Sequence, residues 1–181
     1  MIEVITRFIF FKILGWKVKG AFPSDLKKFI LIVAPHTSWV DFPIAILINY
    51  AIDLRANYVG KATLFKPPFG FVFRALGGAP VDRSKNTNMV DSIVDIYNSR
   101  ERFILGISPE GTRKKVEIWK SGFYYISKGA NVPILSAALD FENKTLIIKD
   151  EQFFTTDDKE RDLAHLQSFY KGVKGKVPEY S

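Results

Sequence analysis

The sequence predicts an α/β fold: a single domain over residues 1–181 with a mixed, mostly parallel sheet flanked by helices, preceded by an apolar N-terminal helix. Three observations lead there. Short apolar runs bounded by charge, proline or glycine alternate with segments of helical period, as in strands joined by crossover helices. The 181 residues suffice for one sizeable core, and no repeat, low-complexity tract or convincing linker divides them. With 47% hydrophobic and 25% charged residues, the chain is globular rather than disordered.

Residues 1–16 read as a helix with a narrow polar stripe of Glu3, Thr6 and Arg7, interrupted by Phe10 and Leu14. Ile2, Ile5, Phe8, Ile9, Ile13 and Trp16 fill much of the rest, so this helix either packs on the core or lies in a lipid interface. After Gly20 and Pro23, "FILIVA" is a buried-strand signal, followed by "PHTSWVDFP" and an apolar helix to about Leu54. "ANYVG" reads as a strand, "PPFGFVFRALGG" as a short helix between turns, and "GAPVD" as a short strand. Asn88–Ser99 has Val90, Ile93, Val94 and Tyr97 on one helical side. "RFILGIS" is another buried strand, ending in "PEGTRKK". A helix within 119–130, a strand "PILSAALDF", its hairpin neighbour "KTLIIKD" and a charged helix over Asp157–Gly172 complete the chain.

Composition narrows the chemistry. The absence of cysteine excludes a disulfide framework, a thiol nucleophile and a Cys-type zinc site, and two histidines leave any metal dependent on carboxylates. No metal site is expected. No run of 18 apolar residues is present, and the N-terminus lacks a basic region and a small-residue cleavage site, so neither a spanning helix nor a secretory signal is read. The net charge of +7, from 26 Lys+Arg against 19 Asp+Glu, suits an anionic partner such as nucleic acid, a membrane surface or a phosphorylated substrate. No nucleic-acid module is visible, and the basic residues flank strand ends rather than form a continuous stripe.

His36 is one of the two histidines, with Asp41 five positions on. On one continuous helix, five positions turn side chains apart by about 140°. They meet if His36 sits in the loop after the strand and Asp41 opens the next helix. Imidazole Nδ1–H then donates to the carboxylate and Nε2 is left as a general base. A bland reading competes, because Ser38-Trp-Val-Asp41 matches a capping box. Pro43 weakens a helix starting at Ser38 but is harmless in the first turn of one starting near Asp41. No G-x-S-x-G elbow, Walker A loop or G-x-G-x-x-G is present, and His165 lies on an amphipathic segment as a structural or solvated residue.

The second feature is "SPEGTRKK", a turn at a strand's carboxyl end, where open α/β sheets bind ligands. Gly111 permits close backbone approach, Thr112 offers a hydroxyl, and Arg113 can grip phosphate with two N–H groups. Alone, that segment is equally a solvated basic turn. Arg83 in "GGAPVDRS" and Lys61 in "VGKATLF" add cations after further strand ends. Together these place one base and several cations along one sheet edge, as an anionic substrate would require.

The ordered blocks "PHTSWVD", "GKATLFKPPFG", "GGAPVDRS", "SPEGTR" and "VPILSAAL" resemble the glycerolipid acyltransferase family, typified by 1-acylglycerol-3-phosphate acyltransferase. The resemblance runs from about Ala34 to Leu139, with H-x4-D and E-G-T-R as its specific motifs. It implies that His36 and Asp41 are the catalytic pair, with His36 deprotonating an acceptor hydroxyl that attacks a thioester without an acyl-enzyme. It implies that Glu110, Gly111, Thr112 and Arg113 bind the acceptor, and that Arg83 and Lys61 serve its phosphate. The implied donor is acyl-CoA or acyl-carrier protein, a substrate rather than a cofactor, and no cofactor is expected. The implied acceptor is a lysolipid, and the implied location is peripheral, at the cytoplasmic face of the cell membrane. Pro35, where many members have Asn, and Ser136-Ala137, where a further proline is frequent, bear on the acceptor: lysophosphatidate, another lysophospholipid or a lyso-aminolipid. Two other readings compete, a thioesterase using His36 to activate water and a non-catalytic module that binds anionic lipid.

Overall fold

A strand apolar on both pleats, such as Phe29-Ile-Leu-Ile, must be covered on both faces. The computed structural model, which describes residues 2–81 and 89–181, satisfies that requirement with a three-layer arrangement. The strands are β1 (Lys17–Lys19), β2 (Lys28–Ala34), β3 (Asn57–Lys61), β4 (Gly78–Val81), β5 (Phe103–Ile107), β6 (Ile134–Asp140) and β7 (Thr145–Ile148). The helices are α1 (Ile2–Arg7), α2 (Asp41–Ala51), α3 (Gly70–Ala75), α4 (Met89–Ser99), α5 (Gly122–Ala130) and α6 (Lys159–Ser168). Among the described residues the strands form one sheet in the order β1-β7-β6-β2-β5-β3-β4. β6, β2, β5, β3 and β4 are mutually parallel, whereas β7 returns antiparallel to β6 and β1 lies parallel to β7. This is the mixed, mostly parallel α/β domain that the sequence predicts.

Alternation along β2 divides the core. Phe29 and Leu31 join Phe10, Trp16, Ile44, Ile48 and Leu146 on the face covered by α2 and the segment that follows α1. Ile30 and Ile32 join Ile93, Tyr97, Phe123, Ile126 and Leu166 on the face covered by α4, α5 and α6. The predicted hairpin is present as the β6–β7 ladder from Ala137 opposite Ile148 to Asp140 opposite Thr145. Asp158 caps α6 by accepting from the Arg161 N–H at 3.0 Å, so the charged helix begins after the predicted Asp157.

The N-terminal helix departs from expectation in its face. After Arg7 it widens into a π-helical turn, Phe8–Ile13, in which the Leu14 N–H reaches Ile9 O at 2.9 Å, a five-residue step. A strict α-helical wheel therefore misplaces the residues beyond Phe8. Phe10, read from the sequence as an interruption of the polar stripe, is fully buried and stacks on Trp16. Ile2, Val4, Ile5, Phe8 and Ile13 remain exposed. Among the described residues no helix is long and apolar enough to cross a membrane.

Candidate active site

Parallel strands bring their carboxyl ends to one edge, and the turns after β2 and β5 become neighbours there because those two strands pair directly. β2 ends at Ala34, so His36 falls in the connecting loop, and α2 opens at Asp41. Pro43 thereby sits in the first helical turn, where its missing N–H disturbs nothing.

The loop folds around one carboxylate oxygen. Asp41 Oδ2 lies 3.0 Å from His36 Nδ1 and also accepts from the Thr37 N–H at 2.7 Å and the Ser38 N–H at 2.8 Å. Both local readings of this stretch are thus present in one group. Asp41 reaches back to Ser38 as the second half of a capping box does, and it also holds the imidazole. Asp41 is only 3% exposed, and its buried Oδ1 has no partner among the described residues. It sits at the N-terminal end of α2 and accepts from two backbone donors. The His36 side chain is 31% exposed, and Nε2 makes no hydrogen bond with any described residue. A buried carboxylate oriented on Nδ1 with Nε2 free is the base-and-orienter arrangement of acid–base catalysis.

Glu110 joins the two turns. Its Oε2 accepts from the His36 backbone N–H and from the Ser108 hydroxyl, each at 2.9 Å. It is 9% exposed, so the carboxylate faces inward to the protein. The sequence expectation groups it with the acceptor-binding residues; the geometry gives it a hold on the loop that carries His36. Burial pushes the Glu110 carboxyl above its ordinary range, against the Ser108 hydroxyl and the His36 N–H, which lower it. The folded state therefore binds this proton more tightly than the unfolded chain. Its contribution to stability is present at low pH and declines as pH rises from the unfolded carboxylate value through the raised folded one. Glu110→Gln cannot ionise and is expected to lack that decline; melting temperatures of both proteins across about pH 4–7 check it.

The remaining predicted residues take several positions. Gly111 adopts φ +65°, and a Cβ there would meet Lys120 Cγ at 3.1 Å, so the turn favours glycine. Thr112 and Arg113 are exposed on the same turn, and Arg113 has no partner among the described residues. Lys61 is the last residue of β3 at this edge, while Arg83 lies outside the described residues. His165 sits on α6 against Glu151 at 2.9 Å and is not part of this constellation. Sequence reasoning did not single out Thr37 and Ser108; neither carries a signal beyond its place inside a motif.

A groove of about 740 Å³ lined by Phe22, Leu26, Phe29, Leu54 and Arg102 lies at the opposite edge, where β2 and β5 begin, and takes no part in this site.

A solved structure shares this fold. A comparison with curated sequences finds no match. The crystal structure of the 1-acyl-sn-glycerophosphate (LPA) acyltransferase PlsC from Thermotoga maritima superposes with a TM-score of 0.63 at 19% identity, over 93% of this chain and 76% of that one. At that identity the likeness is one of fold. The family model described as Acyltransferase matches residues 16–140, which include the His36 loop, α2 and the Glu110 turn. The chain belongs to the acyltransferase family and is an acyltransferase enzyme.

Proposed function

We propose that the protein is a membrane-associated O-acyltransferase that moves a fatty acyl group from a thioester, acyl-CoA or acyl-carrier protein, to the hydroxyl of a lysophospholipid such as 1-acylglycerol-3-phosphate. The observation that carries this reading is the His36 Nδ1 to Asp41 Oδ2 contact of 3.0 Å, which leaves Nε2 without a partner among the described residues. In this scheme Nε2 takes the proton of the acceptor hydroxyl while its oxygen forms a bond to the thioester carbonyl carbon. Asp41 stabilises the imidazolium. The carbon–sulfur bond then breaks, and the departing thiolate takes the proton back from His36. The products are an ester and a free thiol, with no acyl-enzyme.

Steady-state assay with labelled thioester, with and without a panel of lysolipids, tests the proposal. Acylated lipid in proportion to acceptor is the expected product; free acid regardless of acceptor would instead mark a hydrolase. Arg113, exposed and without a partner among the described residues, supports a phosphate-bearing acceptor. Arg113→Ala is expected to raise KM for such an acceptor by roughly tenfold, with little change for the donor, since a hydrogen bond to a charged group contributes about 1.5–3 kcal/mol. Equal effects on both substrates contradict the assignment.

Peripheral membrane association is supported by the exposed apolar side chains of α1 and by Phe69 and Phe71 at the start of α3, which are 68% and 71% exposed. Ile2 of α1 and Leu76 after α3 line one groove across the end of α2. Phe8→Glu is expected to weaken sedimentation with anionic lipid vesicles by roughly tenfold, because one buried aromatic contributes about 1.5–3 kcal/mol. Unchanged sedimentation removes Phe8 from the lipid contact.

A further inference from the structure

The loop that carries His36 is held from two directions. Glu110 takes its backbone N–H from one side. The chain that follows α6 closes on it from the other. Tyr170 donates its hydroxyl to Ile32 O on β2 at 3.0 Å, and the Phe141 N–H donates to Lys174 O at 2.8 Å, laying this segment along the carboxyl ends of β2 and β6. The Val177 N–H then donates to Thr37 Oγ1 at 3.0 Å. Gly175 is buried against the same side chain, where a Cβ would meet Thr37 Cγ2 and Oγ1 at 2.6 Å. The segment is closed on itself by Gly175 N–H to Ser181 Oγ at 2.8 Å and Tyr180 N–H to Val177 O at 3.1 Å.

Thr37 is the joint. It is 3% exposed, its side chain is gripped by this segment, and its backbone N–H donates to Asp41 Oδ2 at 2.7 Å. We infer that residues 173–181 form a positioning segment for the His36–Asp41 pair, acting through the Thr37 hydroxyl and the bare Cα of Gly175. The inference rests on the reading of His36 as general base. It assigns a role to a part of the chain that lies beyond the matched residues 16–140. Without the Val177 contact, the buried Thr37 hydroxyl loses its partner and the loop relaxes to find another. The Thr37 N–H then moves off Oδ2, and the carboxylate no longer fixes the imidazole. A misplacement of about 1 Å in such a pair lowers turnover strongly and leaves substrate affinity nearly untouched.

The test uses three variants of the full chain. Thr37→Val keeps the side-chain shape and removes the acceptor, Gly175→Ala pushes the segment off Thr37, and Thr37→Ser restores the hydroxyl. Thr37→Val and Gly175→Ala are each expected to lower kcat roughly tenfold or more, with KM for donor and acceptor within about twofold of the parent; Thr37→Ser is expected to recover most of the loss. Parental kcat in folded Thr37→Val or Gly175→Ala overturns the inference. So does a loss of equal size in Thr37→Ser, or one that falls in KM. Circular dichroism and thermal melts establish folding, and if Thr37→Val does not fold, kcat of Gly175→Ala decides alone. His36→Ala separates the two levels: activity in that variant sinks the general-base reading, whereas its inactivity beside unimpaired Thr37→Val and Gly175→Ala sinks only the positioning segment.

Discussion

Alanine at position 36 is expected to lower acyl transfer by roughly 10²–10⁴-fold, the range for loss of a positioned general base. The fold is expected to survive. The His36 side chain is 31% exposed, so its removal leaves no sealed cavity, and the bond to Glu110 uses the backbone N–H, which alanine retains. Asp41 keeps the Thr37 and Ser38 donors and remains seated. Steady-state kinetics with a labelled thioester and a lysolipid acceptor, alongside circular dichroism, check both halves of the expectation. The deficit belongs in kcat, because proton removal occurs in the transition state and not in binding. Full activity in His36→Ala would falsify the mechanism.

The second large effect belongs to Asp41. Asparagine there keeps an oxygen for the two backbone donors but removes the charge that balances an imidazolium, and a loss on the order of 10²–10⁴-fold in kcat is expected. Alanine removes the acceptor altogether. The Thr37 N–H, on a residue only 3% exposed, then loses its partner, at a cost of about 1–3 kcal/mol per unsatisfied group. The pair of variants therefore separates two roles. Asparagine reads the contribution to catalysis at nearly constant fold, and denaturant melts of the alanine variant read the contribution to the loop. Unimpaired turnover in Asp41→Asn would reduce Asp41 to a helix-entry residue.

Much of this was legible before any coordinates. Each apolar run bounded by turn residues became a strand, because a short stretch greasy on both pleats has nowhere to lie except inside a covered sheet. His36 and Asp41 could be paired because Pro43 bars a helix from starting much earlier than Asp41, which leaves the histidine in the loop. β1 was missed because its three residues, Lys-Val-Lys, are too few and too charged to show a strand pattern; pairing with β7 makes the strand. The exposed face of α1 was assigned by a regular 100° step that the π-helical turn breaks. The sequence puts Glu110 in a turn after a strand, but its bond to the His36 N–H depends on β2 and β5 being adjacent, a strand order that local pattern does not encode. The same holds for Val177 and Thr37, which are 140 positions apart in sequence.

The two margins of the sheet bear on how the protein survives its own composition. A chain with 47% hydrophobic residues and an open sheet risks recruiting a second copy strand by strand along an unpaired margin. Among the described residues, one margin is β1, only three residues long with Lys17 and Lys19 exposed, so an incoming copy would set like charges side by side. The other is β4, where Pro80 withholds the N–H that a new neighbour would need. Self-association into fibrous aggregates is thus discouraged at both ends by three residues remote from the acyl-transfer chemistry. Lys17, Lys19 and Pro80 guard the margins of the sheet without stabilising its core.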